Sequence, residues 1–216
     1  MSGLSRSYLL KIREIEAVTG PFMCLGSAKF FALKLVGAVG STKKLNDFVH
    51  SEWARKNRDK NPVNCWGWTI DVYTPEFNRS VLPAACNDPT AGVRKEGAGP
   101  WPIAFHYFQG RPEAGDELLR KHVPLVVGVK FHDLPGRGHF ITVVKDYKET
   151  IWAVDPWHMD PDKPYVVQLP SSFSFTKPIS VTMAGASRIP CATPWFGYYR
   201  DSDLESTYAF PLAEDL

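Results

Sequence analysis

Cysteine, histidine and aspartate together are the side chains of thiol-based catalysis, and three of them stand in suitable places in this sequence. Cys65 directly follows NPVN and opens an aromatic stretch, CWGWTIDVY (65–73), that we predict to be helical. The first turn of a helix presents unsatisfied N–H groups at the positive end of the macrodipole, which favours a thiolate and can stabilise an oxyanion. A free cysteine is as often a small buried apolar residue, so Cys65 alone does not decide between these interpretations.

His139 and Asp155 favour the catalytic interpretation. His139 follows the turn PGRG and opens a predicted strand, and Asp155 ends the next one, in IWAVDP. With a turn near 146–149, the two residues are predicted to lie across from each other on paired strands. The aspartate can then accept a hydrogen bond from one imidazole nitrogen and leave the other for the thiol. Each residue alone could be a turn former, but together they predict a Cys65–His139–Asp155 triad.

The predicted elements place helices before strands, which is typical of an α+β domain with an antiparallel sheet. We predict one domain over 1–216, with a helical part (1–73), a loop-rich insertion (74–121) and a sheet part (122–216). The segment 74–111 is predicted to form long loops with at most one short helix, and the tail containing 191–201 is predicted to be rich in loops. The other predicted elements are helices at 4–18, 22–36, from Ser41 or Thr42 through Trp53 and at 113–122, and strands at 123–131, 139–147, 150–156, 164–169 and 179–184.

The stretch 117–157, ELLRKHVPLVVGVKFHDLPGRGHFITVVKDYKETIWAVDPW, resembles the second half of papain-like bacterial cysteine peptidases. It is most similar to the family that processes double-glycine leader peptides and to its stand-alone relatives, and NCWGWT (64–69) is similar to their nucleophile segment. The resemblance implies a papain-like fold. That family has a glutamine upstream of the nucleophile as oxyanion donor. Here no glutamine precedes Cys65, so we expect Asn64 in that role, with Trp66 and Trp157 lining the pocket.

The expected chemistry is hydrolysis of an amide bond through an acyl-enzyme. The substrate would be a protein, a peptide of the bacterial cell wall or a glutamine side chain, and an immunity or inhibitor protein is the expected partner. A small enzyme of this kind resembles effectors and toxins delivered by bacterial secretion machines. Two alternatives stay open: a transferase or deamidase using the same triad, and a non-catalytic binding module on the same fold.

Composition excludes other classes. The net charge of +2, from 25 basic and 23 acidic residues, lacks the basic excess that nucleic-acid binding requires. The four cysteines have no metal-site spacing, so no metal or cofactor is expected, and we expect them to be reduced. Cys24, Cys86 and Cys191 lie in an apolar helix, a loop and a proline-rich tail, and are poorer nucleophiles than Cys65.

The N-terminal residues are expected to form neither a cleavable signal nor a membrane anchor. Charged residues interrupt residues 1–20, so no apolar core of a signal peptide is present. Lys29 and Lys34 interrupt the apolar stretch 21–40, which is therefore predicted to be a buried helix without stable membrane insertion. We expect the protein to be cytoplasmic in the cell that makes it, and exported, if at all, by a leaderless route.

Overall fold

A computed structural model describes residues 3–14, 24–35, 94–95, 103–109, 112–131, 138–156, 162–189 and 195–201. These residues form a mixed α+β structure in which helices pack on an antiparallel sheet. The helices are α1 (Arg6–Glu14), α2 (Cys24–Leu35) and α3 (Pro112–Arg120). The strands are β1 (Arg94–Lys95), β2 (Ile103–Gln109), β3 (Leu125–Phe131), β4 (Gly138–Lys145), β5 (Ile151–Val154), β6 (Val166–Leu169), β7 (Ile179–Ser180), β8 (Ala186–Ile189) and β9 (Trp195–Asp201).

The strands follow the order β1-β2-β9-β3-β4-β5-β6, and every pair is antiparallel. Strand β3 lies against β4 on one side. On its other side, Val126 and Val127 pair with β9, whereas Lys130 and Phe131 pair with β8. Among the described strands, β7 pairs with β8 alone and is connected to the sheet through it. Strands β3 and β4 are therefore interior strands with neighbours on both sides, which holds their backbones in place.

Helices cover both faces of this sheet. On one face, Leu118 and Leu119 of α3 belong to the same buried cluster as Ile141 and Ala153. On the other face, residues of α1 and α2 form a second cluster with strand residues Val144, Trp152 and Val154. All four residues of β5 are consequently buried. Burial on both faces explains why the central strands read as continuous apolar runs instead of alternating ones.

The first two predicted helices are present over the residues that the structure describes, Arg6–Glu14 and Cys24–Leu35. Ser5 caps α1, because its hydroxyl accepts a hydrogen bond from the Tyr8 N–H at 3.1 Å. In α2, the small residues Ser27, Ala28 and Ala32 are buried. Small side chains allow a helix backbone to approach the sheet closely. The hydroxyl of Thr142 on β4 accordingly reaches the Ala28 carbonyl, to which it donates at 3.0 Å.

Helix α3 ends two residues before the predicted end at His122. That residue has a left-handed φ of 58°, which stops the helix. Its N–H donates to the Leu119 carbonyl at 3.0 Å, and the Val123 N–H donates to the Leu118 carbonyl at 3.1 Å. This pair of bonds is a Schellman motif, usually built on glycine. The His122 ring also donates from Nδ1 to the Lys145 carbonyl at 3.2 Å, so a tertiary contact holds the end of the helix.

The β4–β5 hairpin is present, but its register differs from the predicted one. Thr142 pairs with Val154 and Lys145 with Ile151, so Asp155 continues the ladder opposite Ile141 and not His139. The centre of the turn lies one residue later than predicted. This moves the partner of Asp155 by two residues, and residues two apart on a strand share a face. His139 and Asp155 therefore remain on one face as diagonal neighbours.

Two segments predicted as loops contain strands. Strands β1 and β2 lie within 74–111, and β9 occupies most of 191–201, so these loop predictions were wrong. The seven residues of β2 pair with the seven of β9, from Ile103 with Asp201 to Gln109 with Trp195. Their proline- and glycine-rich surroundings suggest loop locally. The strands are stabilised by hydrogen bonds to partners far away in the sequence, which local composition cannot reveal.

The helices predicted after Ser41 and at 65–73 lie outside the described residues. Within the described part of the chain, no helix has the length and apolar character needed to cross a bilayer.

Candidate active site

His139 and Asp155 form a buried pair at the sheet. The imidazole Nε2 donates to Asp155 Oδ1 at 2.7 Å, and both side chains have no exposed surface. His139 is held by β4, whose backbone pairs it with Val129 of β3. Because Nε2 is engaged by the carboxylate, Nδ1 is the ring nitrogen left to exchange a proton with a reacting group.

Three hydrogen bonds fix the position of Asp155. Its backbone N–H donates to the Tyr165 carbonyl at 2.7 Å and continues the pairing of β5 with β6. Its Oδ1 accepts from His139, and its Oδ2 accepts the backbone N–H of Gly185 at 2.7 Å. Each carboxylate oxygen thus has a donor of its own. The carboxylate cannot rotate without losing one of these bonds, so it fixes the orientation of the imidazole.

The environment of His139 favours its charged form. Burial by itself lowers the pKa of the imidazole, but hydrogen bonds with Asp155 and Cys24, and the negative charges of these groups, outweigh it. The net result raises the pKa of His139 from 6.5 to about 9. The imidazole is therefore expected to carry a proton at neutral pH, as it does in a thiolate–imidazolium pair.

The thiol that interacts with His139 is Cys24, the first residue of α2. Its side chain is partly exposed and forms no disulfide. The sequence placed Cys24 inside a helix starting at 22 and ranked it below Cys65 for that reason. Cys24 is the first residue of the described helix, in whose first turn the backbone N–H groups have no intrahelical acceptor.

The other predicted site residues fall outside the described part of the chain. They are Cys65 as nucleophile, Asn64 as oxyanion donor, and Trp66 and Trp157 as pocket residues. Of the predicted triad, the structure describes His139 and Asp155 and brings them together. Sequence reasoning did not place Cys24 beside His139, and the signal that could have suggested it is the break at Gly20-Pro21 shortly before an apolar helix.

A search of the described residues for three or more His, Cys, Asp or Glu side chains grouped as metal ligands finds no such group. Comparison with protein-family models, with curated proteins and with solved structures gives no match to this chain.

Proposed function

We propose that this protein is a papain-like thiol hydrolase in which Cys24 is the nucleophile, His139 the acid–base and Asp155 the residue that orients the imidazole. One observation carries the proposal. A single buried imidazole interacts with a carboxylate through Nε2, at 2.7 Å from Asp155 Oδ1, and also with the thiol of Cys24. Nucleophile, base and orienting group are the three parts that define such a site.

The position of Cys24 suits a nucleophile. The protonated imidazole and the positive end of the α2 macrodipole both stabilise negative charge on its sulfur. Its side chain is partly exposed, so a substrate carbonyl can approach it. The N–H groups of the first helical turn can receive the oxyanion that forms on that carbonyl. These groups take the role expected of Asn64 in the sequence.

The reaction proceeds in two steps. The Cys24 thiolate attacks the amide carbonyl and forms a C–S bond, and the C–N bond breaks while His139 gives its proton to the leaving amine. Water then attacks the thioester as His139 takes one of its protons. The C–S bond breaks, the acid leaves, and the thiolate and the protonated imidazole are restored. One water is consumed for each amide bond broken, and protons and electron pairs balance.

A helix that carries the thiol, packed on an antiparallel sheet that carries the histidine and aspartate, supports a papain-like fold. The resemblance of 117–157 to double-glycine-leader peptidases supports the same assignment. The substrate is accordingly an amide of a protein, a peptide or a cell-wall peptide, and a bacterial effector role fits such an enzyme.

The first test is alkylation of each cysteine of the full chain by iodoacetamide, followed by peptide mass spectrometry. At about pH 6 an ordinary thiol, with a pKa of about 8.5, is less than about 1% ionised. A thiolate–imidazolium pair at Cys24 should therefore react about tenfold to a hundredfold faster than Cys86 or Cys191. The His139→Ala variant should lose this advantage. Equal and slow labelling of all four cysteines would contradict the proposal and favour a binding module.

The second test compares Cys24→Ala with Cys65→Ala. Each is incubated with a digest of bacterial proteins and with cell-wall peptides, and mass spectrometry identifies products that have gained one water. Loss of products with Cys24→Ala alone supports the proposed nucleophile. Loss with Cys65→Ala alone would instead return the role to the residue that the sequence favoured. Products in which a glutamine side chain has exchanged ammonia for water would assign the same site to deamidation, and products in which an added amine has replaced the original one would assign it to transfer.

A further inference from the structure

Thr142 is the only polar side chain in the run FITVV (140–144), and it has no exposed surface. Its neighbours on β4, Ile141 and Val143, are fully buried apolar residues. The Thr142 hydroxyl donates to the Ala28 carbonyl at 3.0 Å, a bond between residues 114 positions apart in the sequence. We propose that Thr142 is a positioning residue of the active site, which holds the helix of Cys24 in register with the strand of His139.

The location of this bond supports the proposal. Ala28 lies four residues after Cys24 on α2, about 6 Å along a helix. Thr142 lies three residues after His139 on β4, about 10 Å along a strand. The bond therefore closes a short loop of rigid backbone that includes both reacting side chains. A helix packed only by apolar contacts can slide, whereas a directional hydrogen bond resists a shift of even 1 Å or so.

Stability alone gives no reason for a hydroxyl at this position. In a regular α-helix the Ala28 carbonyl already accepts the N–H four residues later, so it stays satisfied without Thr142. Valine has the same shape as threonine, favours strands equally and buries no polar group. A structural role therefore predicts that Thr142→Val is as stable as the original chain and reacts equally well. A positioning role predicts normal stability with a damaged site.

The experiment compares Thr142→Val with Thr142→Ser in the full chain. Serine keeps the donor and loses a buried methyl group, so it should lower the melting temperature while retaining the reactivity of Cys24. Valine should keep the melting temperature and slow the alkylation of Cys24 at about pH 6 by about tenfold or more. The serine variant should thus be less stable but fully reactive, whereas the valine variant should be stable but poorly reactive.

A valine variant that reacts like the original chain would overturn the inference. If the valine variant shows no cooperative urea transition, Thr142→Ala is compared with Thr142→Ser in its place, since alanine and serine differ only in the hydroxyl. Equal reactivity of the alanine and serine variants would also overturn the inference. The inference rests on the proposed function. If Cys24 of the original chain reacts no faster than the other cysteines, both the proposed function and the role of Thr142 are wrong. If Cys24 of the original chain reacts fast and the valine variant reacts equally fast, only the role of Thr142 is wrong.

Discussion

The buried pair of His139 and Asp155 should make the stability of the protein fall as the pH rises. The pKa of His139 is about 9 in the folded protein, against 6.5 for an ordinary histidine. Because the folded value is the higher one, the stabilisation is complete below pH 6.5 and is lost as the pH rises through about 9. A tenfold change in proton affinity corresponds to about 1.4 kcal/mol. The expected loss is about 3 kcal/mol, a large part of the stability of a typical domain.

The matched variant is Asp155→Asn, which removes the negative charge and keeps nearly the same shape. Burial, which lowers the pKa of His139, is then opposed only by the hydrogen bond and charge of Cys24. The imidazole of the variant should lose its proton at a lower pH than in the original chain, so the free energy of unfolding should fall less as the pH rises. Urea denaturation followed by tryptophan fluorescence, at steps between about pH 6 and about pH 9.5, gives both curves.

The difference between the two curves reports the charge of His139 together with the Cys24 thiol that interacts with it, because groups outside this site are the same in both proteins. Asp155→Asn should be clearly less stable near pH 6, and its disadvantage should shrink towards pH 9. Two parallel curves would refute the reasoning, since they would show that the carboxylate does not control the charge of His139.

Substitutions at two further positions test the interactions that hold the site. The carboxylate of Asp146 accepts hydrogen bonds from the backbone N–H groups of Lys148 and Thr150, at 2.9 Å each, and from Trp152 Nε1 at 3.3 Å. Asp146→Ala removes all three bonds and should lower the free energy of unfolding, measured by urea denaturation, by about 2–4 kcal/mol. Asp146→Asn, which keeps one acceptor oxygen, should lose less, and equal losses would contradict the assignment. Ile141 is fully buried, so Ile141→Ala should lower the free energy of unfolding by about 2–5 kcal/mol, and Ile141→Val by about 1 kcal/mol. Similar small losses for both variants would show that the cluster around Ile141 is loosely packed.

The sequence by itself determined the elements that carry the strongest local signals. The apolar runs of β3, β4 and β5 predicted strands, and the spacing of Leu4 and Ile12 predicted α1. The pairing of His139 with Asp155 also followed from the sequence, although the register was off by two residues. The prediction survived because side chains alternate with a period of two, so this shift keeps both residues on one face.

Tertiary structure brings the Cys24 thiol to the imidazole, whereas Cys65 lies outside the described residues. Both Cys24 and Cys65 stand near predicted helix starts, and a helix boundary read from sequence is uncertain by a residue or two. Which helix start meets His139 depends on packing between residues more than a hundred positions apart, such as Ala28 and Thr142. The same holds for β2 and β9, whose backbone groups find their partners only across the sheet. Local patterns report how a segment can fold, whereas contacts between distant segments form only when the helices and strands bury their apolar faces together.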